Sequence, residues 1–150
     1  MAKEKDFYQI SLKLLLKNSQ GEILGLKSLN NGSFAGFYDL PGGRIDTDEF
    51  RIDFSKILDR EIKEEIGDIT YHLNTTPVAV GRHLVPASMT NAKQDIHILY
   101  LFFEAEYIKG DLRLSNEHLG YKWFNLQEIE ITKYFTSGIL EGIEMCMEKL

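Results

Sequence analysis

Apolar and polar residues alternate roughly through residues 7–17, FYQISLKLLLK, as in a strand with one face buried. NSQGE (18–22) reads as a turn and ILGLKS (23–28) as the returning strand of a hairpin. LNNGSFAG is a loop. FYDLPGGRI predicts a short strand ending in a Pro-Gly-Gly turn, and DTDEFRID an acidic loop longer than a tight connection needs. From about Asp53 to Ile66 the period changes to about 3.6. Phe54, Ile57, Leu58, Ile62 and Ile66 then fall on one stripe, which predicts an amphipathic helix. Asp53 can serve as its N-cap, and Gly67 stands where a helix end favours a left-handed residue. ITYHL, VAVGRHLV and HILYLFFEAEY are strand-like, IKGDLRLSNEHLG is a long polar loop, and YKWFNL is a further strand. The tail from about Gln127 predicts a helix, with Ile139, Leu140, Ile143, Met147 and Leu150 at helical spacing. Strands, a helix, more strands and a second helix predict an α+β fold, a mixed sheet with helices on its faces, and not a doubly wound parallel sheet.

Composition narrows the function classes. A chain of 150 residues with 43% hydrophobic content can form one domain, 1–150, with a sizeable core. A net charge of -6 argues against a nucleic-acid partner, which needs a basic face. An acidic protein can still bind a phosphate-bearing substrate if cations bridge the two. The single cysteine, Cys146, excludes an internal disulfide and a multi-cysteine zinc site. Its setting, GIEMCMEKL, suits a packed helix better than a nucleophile. The charged MAKEKDF start is unlike a signal peptide, and the longest apolar run, ILYLFFEAEY, is broken by Glu104 and too short to span a bilayer. A cytoplasmic protein with no membrane partner is the expectation.

The chemistry concentrates in REIKEEIG, residues 60–67. On a helix, Glu61, Glu64 and Glu65 stand at i, i+3 and i+4 and share a face, away from the apolar stripe. Glu61 and Glu65 would repel by a few tenths of a kcal/mol. Arg60 is placed to pair with Glu64. Such a run is ordinarily a solvated face. A hard divalent cation, which takes a few carboxylates with waters and substrate phosphates, would turn the repulsion into attraction.

The stretch GGRIDTDEFRIDFSKILDREIKEEIGD resembles the signature of the Nudix hydrolases, G-x5-E-x7-R-E-U-x-E-E-x-G-U, with U a bulky aliphatic residue. Gly43 and Glu49 match its first part, and Arg60, Glu61, Ile62, Glu64, Glu65 and Gly67 its second. Ten residues instead of seven separate Glu49 from Arg60, and Asp68 takes the last aliphatic place. The insertion falls before the helix, where extra length costs little, and leaves the spacing of the glutamates intact. The resemblance implies an α/β/α sandwich with a mixed central sheet. It implies Mg²⁺, with Mn²⁺ as a substitute, held by Glu61, Glu64 and Glu65, with Glu61 and Glu65 the main ligands, and joined by the Gly42 carbonyl. Arg60 would orient a carboxylate. Glu117, in SNEHLGYKW, fits the place where some members carry a further glutamate, a metal ligand or general base. The base is open between Glu61, Glu64 and Glu117.

The implied activity is hydrolysis of a pyrophosphate linkage in a nucleoside diphosphate joined to another moiety: a nucleoside triphosphate, a nucleotide sugar or an ADP-ribose type of compound. Phe34, Phe37 and Tyr38 are candidates to stack a base, and Lys27, Arg44 and Arg82 to meet phosphates. His118, beside Glu117, is a candidate, whereas His72, His83 and His97 read as packing or surface residues. The altered length of the signature also fits a member that has lost catalysis and only binds a nucleotide or regulates a partner. A Ca²⁺-holding domain fits less well, because the alternating Asp/Asn loop of a calcium-binding hand is missing. ILYLFF and the Met-rich tail could supply a homodimer surface or could equally be core.

Overall fold

A computed structural model of the chain describes residues 2–148. Two long strands lie at the middle of its sheet. β1 (Tyr8–Lys17) runs parallel to β7 (Ile96–Lys109), pairing residue for residue from Tyr8↔His97 to Lys17↔Glu106. The other pairings are antiparallel, so the sheet is mixed, as expected. β2 (Ile23–Ser28) leaves β1 at Lys17↔Ile23 and pairs with β3 (Tyr38–Asp39) and β8 (His118–Phe124). β4 (Gly42–Arg44) pairs with β1, while β5 (Thr70–Leu73) and β6 (Ala79–Val85) pair with opposite halves of β7.

Each helix covers one face. α1 (Phe54–Ile66) buries Ile57, Leu58, Ile62 and Ile66 against Leu12, Leu14, Leu16 and Phe103. Each of these side chains contributes about 1.5–3 kcal/mol on burial, far more than repulsion between neighbouring glutamates subtracts. Of the expected stripe only Phe54 stays largely exposed. α2 (Ser137–Met147) lays Ile139 and Ile143 on the other face, with Leu15, Tyr100, Phe102, Phe124 and Phe135. β1 therefore sends Leu12, Leu14 and Leu16 to α1 and Ser11, Lys13 and Leu15 to the opposite side.

Several expectations are corrected. Pro-Gly-Gly is not a turn, because Gly42 and Gly43 form β4, paired with Lys13 and Leu12. The acidic loop holds a short 3₁₀ turn, Thr47–Glu49, and the extra residues fall after it, where the chain turns again over residues 50–52 before α1. The long polar loop shrinks to 110–117 between β7 and β8. The tail is not helical from Gln127. Phe135 is fully buried, and the carbonyl of Tyr134 accepts a hydrogen bond from Tyr38 N (2.8 Å), so core contacts override helical spacing until Ser137. Leu150 lies outside the described residues. β7 runs inside the sheet with Ile98, Tyr100, Phe102 and Phe103 buried, so ILYLFF is mostly core. Among the described residues no helix is long and apolar enough to cross a membrane.

Candidate active site

A cavity of about 470 Å³ is lined by residues of β1, β4, α1, β6, β7 and the start of β8. α1 contributes two carboxylates to it, Glu61 and Glu65, and the loop before β8 contributes Glu117. Glu65 is only 6% exposed, and its Oε1 accepts a hydrogen bond from Gly42 N (3.0 Å). Burial pushes its carboxyl up to about 8. Asp39 and Glu117 push the same way, while Lys13 and the Gly42 N–H oppose them. Burial also raises the Glu61 carboxyl, against the pull of Arg60, whose Nη1 lies 3.0 Å away.

The two glycines have different tasks. Gly42 has φ 142°, a conformation that strains other residues, and a Cβ there would overlap the Leu12 carbonyl group. A Cβ on Gly43 would overlap the Glu61 carboxyl group, so this glycine makes the room in which Glu61 sits.

The three glutamates do not share one face. The Glu64 side chain is 61% exposed and outside the cavity lining, whereas Glu65 is buried beside the apolar stripe. Positions 64 and 65 differ by about 100° around the helix, and the sheet lies on the Glu65 side. Arg60 does reach Glu64 (3.4 Å), but its principal partner is Glu49, through Nε–Oε2 at 2.9 Å and Nη2–Oε1 at 2.7 Å. That two-pronged bond holds the Glu49 carboxyl below the usual carboxylate range and the guanidinium above its own. The insertion therefore leaves Glu49 within reach of Arg60. Glu49 closes the 3₁₀ turn Thr47–Glu49, and Asp46 N donates to its Oε1 (2.9 Å).

Other residues of the cavity were not singled out by the sequence. Lys13 is 5% exposed; its Nζ meets Asp39 (3.0 Å) and the Leu40 carbonyl (3.3 Å), and stands 5.6 Å from the centre of the Tyr100 ring. His83 and Tyr100 also face the cavity. The signal for Lys13 was its place on the outward register of a strand that proves to be central; a polar residue there is buried only because β7 and β4 flank it. Of the substrate candidates, Phe34, Arg44 and His118 line the cavity; Phe37, Lys27 and Arg82 do not. Tyr38 does not either, and packs on Phe124 (4.9 Å between ring centres). His118 Nδ1 is buried without a hydrogen-bond partner among the described residues.

The donors suit a hard divalent cation. Oxygen from Glu61, Glu65 and Glu117 faces one cavity, and Gly43 leaves space against the Glu61 carboxyl group. Among the described residues no three acidic, histidine or cysteine side chains already converge on one point. Mg²⁺ does not require that, since one or two carboxylates with waters and substrate phosphates complete its shell.

The model of the NUDIX domain matches residues 8–140. The chain is similar to the nucleoside triphosphatase NudI of Salmonella newport, 27% identical over 118 residues that cover 78% of this chain and 82% of that protein. NudI of Escherichia coli O81 is 26% identical over 116 residues, covering 77% and 80%. Among solved structures, the MutT protein of Methanosarcina mazei Go1 superposes with TM-score 0.69 at 24% identity, covering 98% of this chain and 99% of that one. The NUDIX domain of Shewanella oneidensis NrtR, complexed with ADP ribose, gives 0.64 at 14% identity, covering 97% and 90%. At these identities the solved structures share the fold.

Proposed function

From the premise that this chain belongs to the NUDIX family and is a pyrophosphohydrolase, we propose that it is a divalent-cation-dependent hydrolase of nucleoside triphosphates, cleaving the pyrophosphate linkage. The observation that carries the cation requirement is Glu65, a buried carboxylate held by Gly42 N–H at the wall of the cavity, with Glu61 and Glu117 facing the same space. The choice of triphosphates is supported by the similarity to NudI over most of its length.

Glu61 and Glu65 would hold Mg²⁺ or Mn²⁺, with Glu117 and the Gly42 carbonyl as further donors. When bound, such a cation neutralises phosphate charge and lowers the pKa of a water. The protein's own residues set the stage for it. Gly42 N–H fixes one oxygen of Glu65. Arg60, held by Glu49, also pairs with Glu61 (3.0 Å). Lys13, the register partner of Gly42, offsets the carboxylate charge. Glu61 and Glu117 are the better-placed proton acceptors, because Glu64 is exposed and outside the cavity. Arg44 is placed for a phosphate oxygen and Phe34 for the base.

The test is a release assay on nucleoside triphosphates, nucleotide sugars, ADP-ribose and dinucleoside polyphosphates, with Mg²⁺, with Mn²⁺, and with chelator. Release from triphosphates that stops on chelation is expected. Nucleotide binding without release under any metal would instead favour a non-catalytic binding or regulatory protein.

A further inference from the structure

His83 is a joint between three parts of the molecule. Its Nδ1 lies 2.7 Å from Ser137 Oγ, at the start of α2, and its Nε2 lies 3.0 Å from Ser33 Oγ, in the loop between β2 and β3. Its ring stacks on Phe34 at 4.3 Å between centres and 23° between planes, and Tyr100 lies at the same angle 6.4 Å away. A neutral imidazole donates through one nitrogen and accepts through the other, and a serine hydroxyl can answer either. Burial lowers the His83 pKa, which favours that neutral form.

The loop it holds is otherwise tied by Ser28 N to Phe37 O (3.1 Å) and by Phe34 packing on the α2-side core. Residues 29–37 form turns, closed by Ala35 N to Gly32 O (3.1 Å) and Phe37 N to Phe34 O (2.9 Å). This loop places Ser33 and Phe34 in the cavity wall, and both rest on the one ring. β6, which carries His83, is paired along its whole length to β7.

The ring cluster and the carboxylates line the same cavity. A trail of contacts runs from Phe34 to His83 and Tyr100, then to Lys13 (5.6 Å from the Tyr100 ring), whose register partner Gly42 holds Glu65. A substrate with its phosphates at Glu61 and Glu65 directs its nucleoside toward the rings. We propose that His83 is a positioning residue that fixes Ser33 and Phe34 as the wall selecting the nucleoside end of the substrate, an inference that rests on the phosphate end lying at the carboxylates.

Three variants separate its interactions. His83→Phe keeps a ring on Phe34 and loses both hydrogen bonds. Ser33→Ala loses only the bond to the loop. His83→Gln places an amide where Nε2 stood and can restore the Ser33 bond. For the triphosphate cleaved fastest, the first two should raise KM about tenfold with kcat within about threefold, and the Gln variant should recover most of the loss. Inhibition by tripolyphosphate, which has no nucleoside, should not change. Hydrogen exchange at amides 32–37 should quicken in the first two variants. Unchanged KM and unchanged exchange overturn the proposal, as does an equal weakening of tripolyphosphate or a fall in kcat alone. Should the wild type cleave nothing, the reading of function fails by itself. Exchange at 32–37 and binding of a methylene-bridged triphosphate analogue then decide the role of His83, and a lack of change in both overturns it. Ser33→Ala, a small change in a half-buried turn outside the strands and helices, keeps the test available if His83→Phe does not fold.

Discussion

Replacing Glu65 with Gln should make the cation-free protein more stable in mild alkali while abolishing its turnover. In the folded chain burial holds the Glu65 proton up to about pH 8, whereas its ordinary value is 4.5. Between those limits the folded state binds a proton that the unfolded chain has released. Stability therefore falls as pH rises through this window, and is fully present only below it. At ~1.4 kcal/mol per pH unit the loss approaches 4–5 kcal/mol, and water in the open cavity reduces it to about 2–4 kcal/mol. The Gln amide oxygen can still accept the Gly42 N–H bond and has no proton to lose. Wild type and variant should melt together near pH 5 in chelator, and the variant should melt about 5–15 °C higher near pH 8.5. Mg²⁺ should then raise the wild-type melting temperature and not the variant's. Turnover should drop by at least ~100-fold, more than loss of an outer partner of a metal ligand costs. Parallel pH–stability curves for the two proteins would refute the reasoning, and near-wild-type Mg²⁺-dependent turnover in Glu65→Gln would do so independently.

Two further substitutions probe the surroundings. Gly43→Ala puts a methyl group where the Glu61 carboxyl sits, so turnover should fall by about 10–100-fold while the melting temperature moves by only a few degrees, because a side chain and not the backbone must shift. Kinetics beside thermal melts check this, and unaltered turnover would place Glu61 elsewhere. Lys13→Met leaves Asp39 beside a buried apolar chain without its cation, which should destabilise the protein by about 2–3 kcal/mol; adding Asp39→Asn should return part of that in denaturant titrations.

The fold was largely legible because long strands and α1 obey simple periods. β1, β2, β6, β7 and α1 lie close to their expected bounds. The tail was misread because Ile139 and Ile143 do follow a helical period, while Tyr134 and Phe135 just before them are fixed by contacts with Tyr38 and Phe124, which no local pattern encodes. At the site, spacing placed Glu61 and Glu65 correctly on neighbouring turns, but it could not say that the sheet covers Glu65 and leaves Glu64 in water. Spacing also could not show that the chain after Glu49, with its three extra residues, would turn so as to leave Glu49 against Arg60. Lys13 escaped notice, and His83 was read as a packing or surface residue, because their setting at the cavity comes from segments distant in sequence. Lys13 meets Asp39 across 26 positions, and His83 meets Ser33 and Ser137 across 50 and 54.

Mn²⁺ binding followed by electron paramagnetic resonance, with and without a methylene-bridged nucleoside triphosphate, interrogates the carboxylate pair itself. The wild type should bind Mn²⁺ more tightly when the analogue is present, and Glu61→Gln and Glu65→Gln should each weaken that binding at least ~10-fold. Equal Mn²⁺ affinity in all three proteins would mean that these carboxylates hold no cation against the pyrophosphate.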